Sequence, residues 1–174
     1  MTYVGGAERM LLALEASGTR GSLVHWERLI VISYVTLVGP RSNIVDIGGK
    51  KGRHVAVFLD HLRGDRVYVF EPNPEMCALL RRRYGARRNV TISETALADH
   101  AGVEELTVNL GAPGESGLRQ RIFSDPDRAR VERITVPVAR LDDQVFDGPI
   151  RYVKMALFSK AMHFSSQAIP MAAF

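Results

Sequence analysis

The chain has one cysteine, Cys77, among its 174 residues, so an internal disulfide is excluded. A protein without disulfides is typical of a reducing compartment. The chain also lacks any apolar run of about eighteen residues, the length that a transmembrane helix needs. Its first residues lack the basic start and the cleavage site of a signal peptide. We therefore expect a cytoplasmic protein that has no membrane partner.

The composition is that of an ordinary globular domain, and the length is sufficient for one domain with a sizeable core. The formal net charge is +4, and arginines cluster at residues 81–83 and 87–88 and again between residues 119 and 133. These clusters fall on predicted helix faces and ends and carry no interleaved aromatic residues for base stacking. We therefore disfavour nucleic acid as a partner, and an anion- or nucleic-acid-binding module stays open as an alternative.

The chain is organised around residues 43–72. An apolar strand leads into Gly48-Gly49-Lys50-Lys51-Gly52, a helical spacer follows, and a second apolar strand ends on Glu71. This order is typical of a nucleotide-binding βαβ unit. The glycines allow a sharp turn and close approach of a ligand, and a carboxylate after the second strand can accept hydrogen bonds from both hydroxyls of a ribose. The stretch therefore predicts an adenosine-bearing cofactor.

The positions of the glycines exclude two kinds of nucleotide site. The dinucleotide fingerprint needs glycine where this chain has Lys50 and Arg53, and the phosphate-binding P-loop needs Gly-Lys-Ser/Thr where Gly52 is followed by Arg53-His54. The remaining pattern, Asp46-x-Gly48-x-x-x-Gly52, resembles the first motif of methyltransferases that use S-adenosylmethionine (SAM). The sequence predicts no metal site.

The first half of the chain predicts alternating helices and strands. Two helices, at residues 6–17 and 24–37, precede a strand at 43–47, a helix at 53–62 and a strand at 66–71. Asn73 is the predicted N-cap of a helix that contains Pro74 in its first turn and runs to about Tyr84. A third strand follows at 89–93, and residues 94–99 are predicted to return along the carboxyl edge of the sheet, where ligands of such sheets bind.

After Gly102 the apolar residues alternate with a period of two. Residues 103–110 and 133–138 predict an antiparallel pair, joined by the polar, arginine-rich loop 111–130. Pro137 confines its strand to a sheet edge or a strand end. Residues 141–143, Leu-Asp-Asp, predict a helix start and turn, and residues 150–155 predict the next buried strand.

The order of these motifs resembles the FkbM family of SAM-dependent O-methyltransferases. The resembling residues cover about two-thirds of the chain, and the most specific of them are Phe70-Glu71-Pro72-Asn73-Pro74 together with Leu141-Asp142-Asp143. The resemblance implies a Rossmann-like α/β sheet of the class I methyltransferase type, preceded by two helices. It also implies transfer of the SAM methyl group to a hydroxyl of a small molecule or sugar.

The resemblance divides the chain into an N-terminal helical segment at 1–40, a SAM-binding domain at 41–155 and an atypical tail at 156–174. It assigns the cofactor site to strand ends and turns. Asp46 would act on the cofactor directly or through water, the glycines would admit its methionine and ribose, and Glu71 would take the ribose hydroxyls. Asn73 and residues 96–99 would flank the adenine. The implied cofactor-binding residues are Asp46, Gly48, Gly49, Gly52, Glu71, Pro72, Asn73 and Ala98.

Two departures from the family pattern bear on activity. Gly49-Lys50 stands where the family has alanine-asparagine, and Lys50 could pair with the carboxylate of SAM. The family's fourth strand ends in lysine-isoleucine-aspartate-x-glutamate-glycine, whereas Lys154-Met155 is followed by Ala-Leu-Phe-Ser. We interpret the chain as cut short or altered after Met155, with an incomplete C-terminal half of the sheet. The tail or a second copy of the chain, forming a homo-oligomer, would then cover the exposed fourth strand.

The sequence does not identify a general base. His25, His100 and His163 are available, but each is better explained as a core or surface histidine. One hypothesis is therefore an active O-methyltransferase, and the other is an inactive, truncated methyltransferase-like domain that acts by cofactor binding or self-association.

Overall fold

The computed structural model describes Ile32 and residues 42–60, 66–111, 116–118 and 130–155. The two predicted N-terminal helices lie outside these residues except for Ile32, and the tail at 156–174 lies outside them entirely. The described elements, in chain order, are β1 (Asn43–Ile47), α1 (Arg53–Asp60), β2 (Val67–Phe70), α2 (Pro74–Tyr84), β3 (Val90–Ser93), β4 (Ala96–Ala98), β5 (Gly102–Asn109), β6 (Val131–Arg140), a 3₁₀ turn (Leu141–Asp143) and β7 (Ile150–Met155).

The first sheet has four parallel strands in the order β3-β2-β1-β7. Helices α1 and α2 form the crossovers from β1 to β2 and from β2 to β3, as parallel strands require. If the four strands of this sheet are numbered 1 to 4 in chain order, their spatial order is 3-2-1-4. This is the first part of the doubly wound Rossmann order. The predicted α/β fold with a Rossmann-like sheet is thus confirmed for the described residues. Among these strands β7 lies at the sheet edge.

Strand alternation divides the core between the two faces of this sheet. Ile44, Val67 and Val69 point to one face, where Phe58 of α1 and Leu80 of α2 pack against them. The opposite face packs against the second sheet and against residues 141–146, which follow β6. It carries four further residues of β1 and β2: Val45, Ile47, Tyr68 and Phe70. Every residue of β1 and β2 is buried, because both faces are covered.

The second sheet has the order β4-β6-β5. Strands β5 and β6 form the predicted antiparallel pair, and β4 pairs in parallel with β6. Residues 94–99 were expected to follow the carboxyl edge of the first sheet, but 96–98 form this separate strand instead. The short segment buries Ala96 and Leu97, and Leu97 packs beneath Phe70 of the first sheet.

The expectation for Pro137 is wrong for the strand as a whole, because β6 is the central strand of the second sheet. Proline is nevertheless accommodated there, since β4 pairs only with Val138–Arg140. At Pro137 itself β6 therefore has β5 as its only strand neighbour among the described residues, with Val103 as the register partner. The missing N–H of Pro137 costs no ladder hydrogen bond to β4.

The basic residues of α2 behave as a solvated helix end. Arg81, Arg82 and Arg83 are exposed in its last turn, where positive charge complements the helix dipole. Arg81 pairs with Glu94 at 2.6 Å, and Arg83 donates to the backbone carbonyl of Lys51 at 2.6 Å. In the described part of the chain, neither helix has the length and apolar character that crossing a membrane requires.

Candidate functional site

The turn between β1 and α1 has the backbone conformation that the glycine pattern predicted. Gly48 and Gly52 have φ values of +77° and +75°, in the left-handed region that favours glycine. Lys50, between them, has φ of +47° and is the described non-glycine residue with positive φ. The N–H of Gly48 donates to the carbonyl of Phe70 at 2.8 Å, and the N–H of Gly52 donates to the carbonyl of Gly49 at 2.8 Å. The turn is therefore bound both to itself and to the end of β2.

Gly49 is required for packing and not for backbone freedom. A Cβ at this position would lie 2.3 Å from Cγ1 of Val69 and 3.3 Å from Cδ1 of Leu80. The turn therefore lies directly against core residues of β2 and α2, and these contacts limit how it can be positioned.

Glu71 follows β2 and is 5% exposed. Its Oε2 accepts the backbone N–H of Lys50 at 2.7 Å, and its Oε1 accepts the backbone N–H of Asn73 at 3.0 Å. Burial raises the pKa of Glu71 above its ordinary value, and these two hydrogen bonds oppose the rise. Each oxygen thus has one partner, which leaves about half of the roughly four acceptor positions of a carboxylate for a ligand.

Asn73 is confirmed as the N-cap of α2. Its side-chain oxygen accepts the N–H of Glu75 at 2.9 Å and of Met76 at 3.4 Å. Its own N–H is the one that binds Glu71, so the cap and the carboxylate are joined. Pro72 lies between them. Behind this turn the buried thiol of Cys77 donates to the carbonyl of Glu71 at 2.9 Å.

Asp46 is fully buried and forms an ion pair with Lys154 of β7. Lys154 Nζ donates to Asp46 Oδ1 at 2.8 Å and to the carbonyl of Gly48 at 3.3 Å. The side chains of Asp46 and Lys154 are 0% and 8% exposed. Asp46 Oδ2 is buried and has no hydrogen-bond partner among the described residues. Asp46, which was predicted to contact the cofactor, thus already has a partner within the chain, namely Lys154.

His54, in the first turn of α1, is a titratable neighbour of this pair that sequence reasoning missed. Its ring packs near Phe58, at 6.4 Å between centroids, and Phe58 in turn contacts Tyr152 of β7. Burial lowers the pKa of His54, and the positive charge of Lys154 lowers it further. The burial of His54 and the charge of Lys154 both disfavour the protonated form of its ring.

The predicted site residues divide into two groups. Asp46, the three glycines, Glu71, Pro72 and Asn73 meet at the carboxyl ends of β1 and β2 and the starts of α1 and α2. Ala98 lies instead in the second sheet, with Arg140 as its register partner.

His100 is exposed, with one ring nitrogen 2.8 Å from Asp99 and the other 3.0 Å from Glu104. It is a surface histidine, as expected. His25 and His163 lie outside the described residues.

Lys154 lies within the fourth-strand motif but was not predicted to belong to the site. A signal for it was present in the sequence, because residues two apart on a strand share a face. Once β1 and β7 are paired with Ile44 opposite Tyr152, Asp46 must lie opposite Lys154. The missing information was that pairing, which joins segments 108 positions apart.

No protein-family model matches the sequence, and no curated protein matches it. Among solved structures, the chain is similar to methyltransferase FkbM from Methylobacillus flagellatus KT, with a TM-score of 0.43 and 17% sequence identity. The match covers 66% of this chain and 25% of that chain, so this chain spans about a quarter of the length of that protein. We assign the fold from its strand order and register and not from this likeness.

Proposed function

We propose that this chain binds SAM at the carboxyl ends of β1 and β2, and that it transfers the methyl group to a hydroxyl of a small molecule or sugar. The observation that carries the proposal is the contact between the glycine turn and Glu71. The N–H of Lys50 lies 2.7 Å from Glu71 Oε2, so a positive-φ turn and a carboxylate that can accept hydrogen bonds from a diol are adjacent. An adenosyl ligand needs both features together.

Glu71 would bind the ribose of SAM through the acceptor positions that Lys50 and Asn73 leave unused. Its orientation is fixed before any ligand arrives, because one backbone N–H holds each oxygen. A receptor group that is already oriented loses little entropy on binding. Gly48 and Gly52 would leave space for the ribose and methionine, and the side chain of Lys50 would pair with the methionine carboxylate.

When bound, SAM would supply an electrophilic methyl group, with S-adenosylhomocysteine as the leaving group. The chain's own contribution would be to hold the cofactor and to orient the acceptor oxygen behind the methyl group. A weakly acidic alcohol must also lose a proton during the transfer.

Calorimetric titration of the purified chain with SAM, S-adenosylhomocysteine and NAD tests the proposal. We expect micromolar affinity for the first two and none for NAD. Glu71→Gln should weaken SAM binding by about tenfold or more, because a hydrogen bond to a charged group is lost. Glu105→Gln is the matched control, since Glu105 is 59% exposed on the second sheet. Absence of SAM binding by the unmodified chain would refute the proposal.

One observation favours a second function, namely binding without turnover. The carboxylates of Asp46 and Glu71 both accept hydrogen bonds from the chain's own groups, namely Lys154 for Asp46 and two backbone N–H groups for Glu71. Such internal bonds suit a domain that is maintained for its fold and its ligand. SAM affinity without methyl transfer to any hydroxyl acceptor in a screen would support this function. Transfer of a labelled methyl group would exclude it.

A further inference from the structure

We propose that Lys154 is a positioning residue that sets the conformation of the glycine turn, and thereby the affinity for the cofactor; the link to the cofactor rests on the proposed function. Lys154 is not itself one of the predicted cofactor-binding residues, but it donates hydrogen bonds to two of them, Asp46 and Gly48. It would act through Gly48 and Asp46 from β7, a strand that sequence reasoning had not connected to the site.

The position of Lys154 follows from the sheet register. Asp46 of β1 is the register partner of Lys154 of β7, and both side chains emerge on the face that α1 covers. The lysine side chain is therefore held beneath the N-terminal end of α1, where the turn passes from β1 to the helix. Its burial leaves the ammonium group dependent on protein partners for hydrogen bonds.

Neutralising Asp46 accounts for only one of the two hydrogen bonds of Lys154. The second bond runs to the carbonyl of Gly48, at 3.3 Å. The N–H of the same residue is held from the other side by the carbonyl of Phe70 on β2, at 2.8 Å. Gly48 is thus fixed between the two strands that flank β1, although it has no side chain of its own.

The orientation of the peptide groups at Gly48 and Gly49 affects Glu71. Two residues after Gly48, the N–H of Lys50 must point at Glu71 Oε2 to make the 2.7 Å bond. If the Gly48 carbonyl is released, the left-handed glycine can rotate at little cost, and the N–H of Lys50 loses its alignment. The carboxylate that would bind ribose then loses one of its two backbone supports.

Four variants separate this positioning role from simple charge neutralisation. Lys154→Met and Asp46→Asn each break the ion pair, and the double variant removes both charges. Arg151→Met is the matched control, because it also removes a cation from β7, but at an exposed position.

The first readout is amide hydrogen exchange of Gly48 and Lys50, measured relative to Val67, whose N–H donates to the carbonyl of Asn89 within the sheet. The second readout is the affinity for SAM.

We expect the double variant to regain stability relative to Lys154→Met, because no unpaired charge stays buried. Its exchange ratio of Gly48 or Lys50 to Val67 should nevertheless be raised by about tenfold, and its SAM affinity reduced by about as much, since the bond to the Gly48 carbonyl is still missing. Asp46→Asn alone should keep that bond and change the exchange ratio much less.

An unchanged exchange ratio in the double variant would overturn the proposal and leave Lys154 as a counterion of Asp46. If the unmodified chain binds no SAM, the proposed function fails, and the exchange ratio still decides whether Lys154 positions the turn. A raised ratio in the Arg151→Met control would also overturn the proposal, because any loss of charge from β7 would then have the same effect.

Discussion

The backbone N–H of Lys50 donates to the side chain of Glu71, which joins the turn after β1 to the residue after β2. These two strands are neighbours and run in parallel, so their carboxyl ends lie side by side. The bond is made by the backbone N–H of Lys50. A single carboxylate thus connects the left-handed turn, the start of α2 and the predicted ribose position.

Replacing Glu71 with glutamine should change how stability depends on pH. Burial raises the pKa of Glu71 above its ordinary value of 4.5, so the folded chain holds this proton more tightly than the unfolded chain does. The stability of the unmodified chain should therefore fall relative to that of Glu71→Gln as the pH rises above 4.5. Urea unfolding of both proteins at a series of pH values from 4.5 upward measures the difference in their unfolding free energies. A difference that does not vary with pH would contradict the burial argument.

Adding a methyl group at Gly49 should destabilise the fold. The Cβ of Gly49→Ala would lie 2.3 Å from Val69 Cγ1, and overpacking of this kind costs about 1–3 kcal/mol. Val69→Ala removes the clashing atom, so the double variant should lose less stability than the sum of the two single variants. The unfolding free energies of the parent, the two single variants and the double variant give this double-mutant cycle. Strict additivity would show that the turn moves away from Val69 instead.

The positive φ of Lys50 predicts an unusual order of preference for side chains. Lys50→Gly should be tolerated without loss of stability, because relief of the left-handed strain offsets the entropy cost of glycine. Lys50→Val should cost about 1 kcal/mol or more, since a β-branched side chain fits this region badly. Thermal unfolding ranks the two variants. If the valine variant is the more stable, the turn does not have this conformation in solution.

Breaking the buried ion pair should strongly reduce stability. Lys154→Met leaves the Asp46 carboxylate buried without a counterion, which costs about 3–5 kcal/mol. Arg151→Met, at an exposed position on the same strand, should stay within about 0.5 kcal/mol of the parent. Denaturant unfolding at neutral pH provides the comparison. Equal losses in the two variants would mean that the ion pair contributes nothing specific.

The single cysteine should be unreactive in the folded chain. Burial raises the pKa of Cys77 to about 12, so the reactive thiolate is scarce at neutral pH. We expect a thiol reagent such as dithiobis-nitrobenzoate to modify Cys77 at pH 8 only after the chain is unfolded in denaturant. Rapid modification under native conditions would show that the segment from Glu71 to α2 opens readily.

The strands of the first sheet were predictable because β1 and β2 are short, mostly apolar runs followed by turn residues. Asn73 was predictable as an N-cap because Pro74 follows it. The pairing of β4 with β6 was not predictable, since a three-residue strand, Ala96–Ala98, shows no period. The interpretation of Pro137 failed for a related reason, because the shortness of β4 leaves room for proline in a central strand.

Of the candidate site, the sequence could predict what lies within one βαβ unit. Glu71 and the glycine turn belong to that unit, and their adjacency follows from its geometry. The ion pair between Asp46 and Lys154 depends on which distant strand pairs with β1, and the local sequence pattern does not indicate that strand. Ala98 was assigned because residues 94–99 were expected to follow the carboxyl edge of the first sheet, and the structure places it in the second sheet, paired with Arg140.

The distance in sequence between Asp46 and Lys154, 108 positions, also has a consequence for synthesis. A ribosome completes β1, α1 and β2 long before it reaches β7, and domains begin to form from their N-terminal parts. The nascent chain therefore has to carry an unpaired carboxylate in its first strand while the second sheet is still being made. Contacts between such distant segments form slowly, because a long loop must close first. The ion pair between Asp46 and Lys154 can therefore form only after β7 has been synthesised.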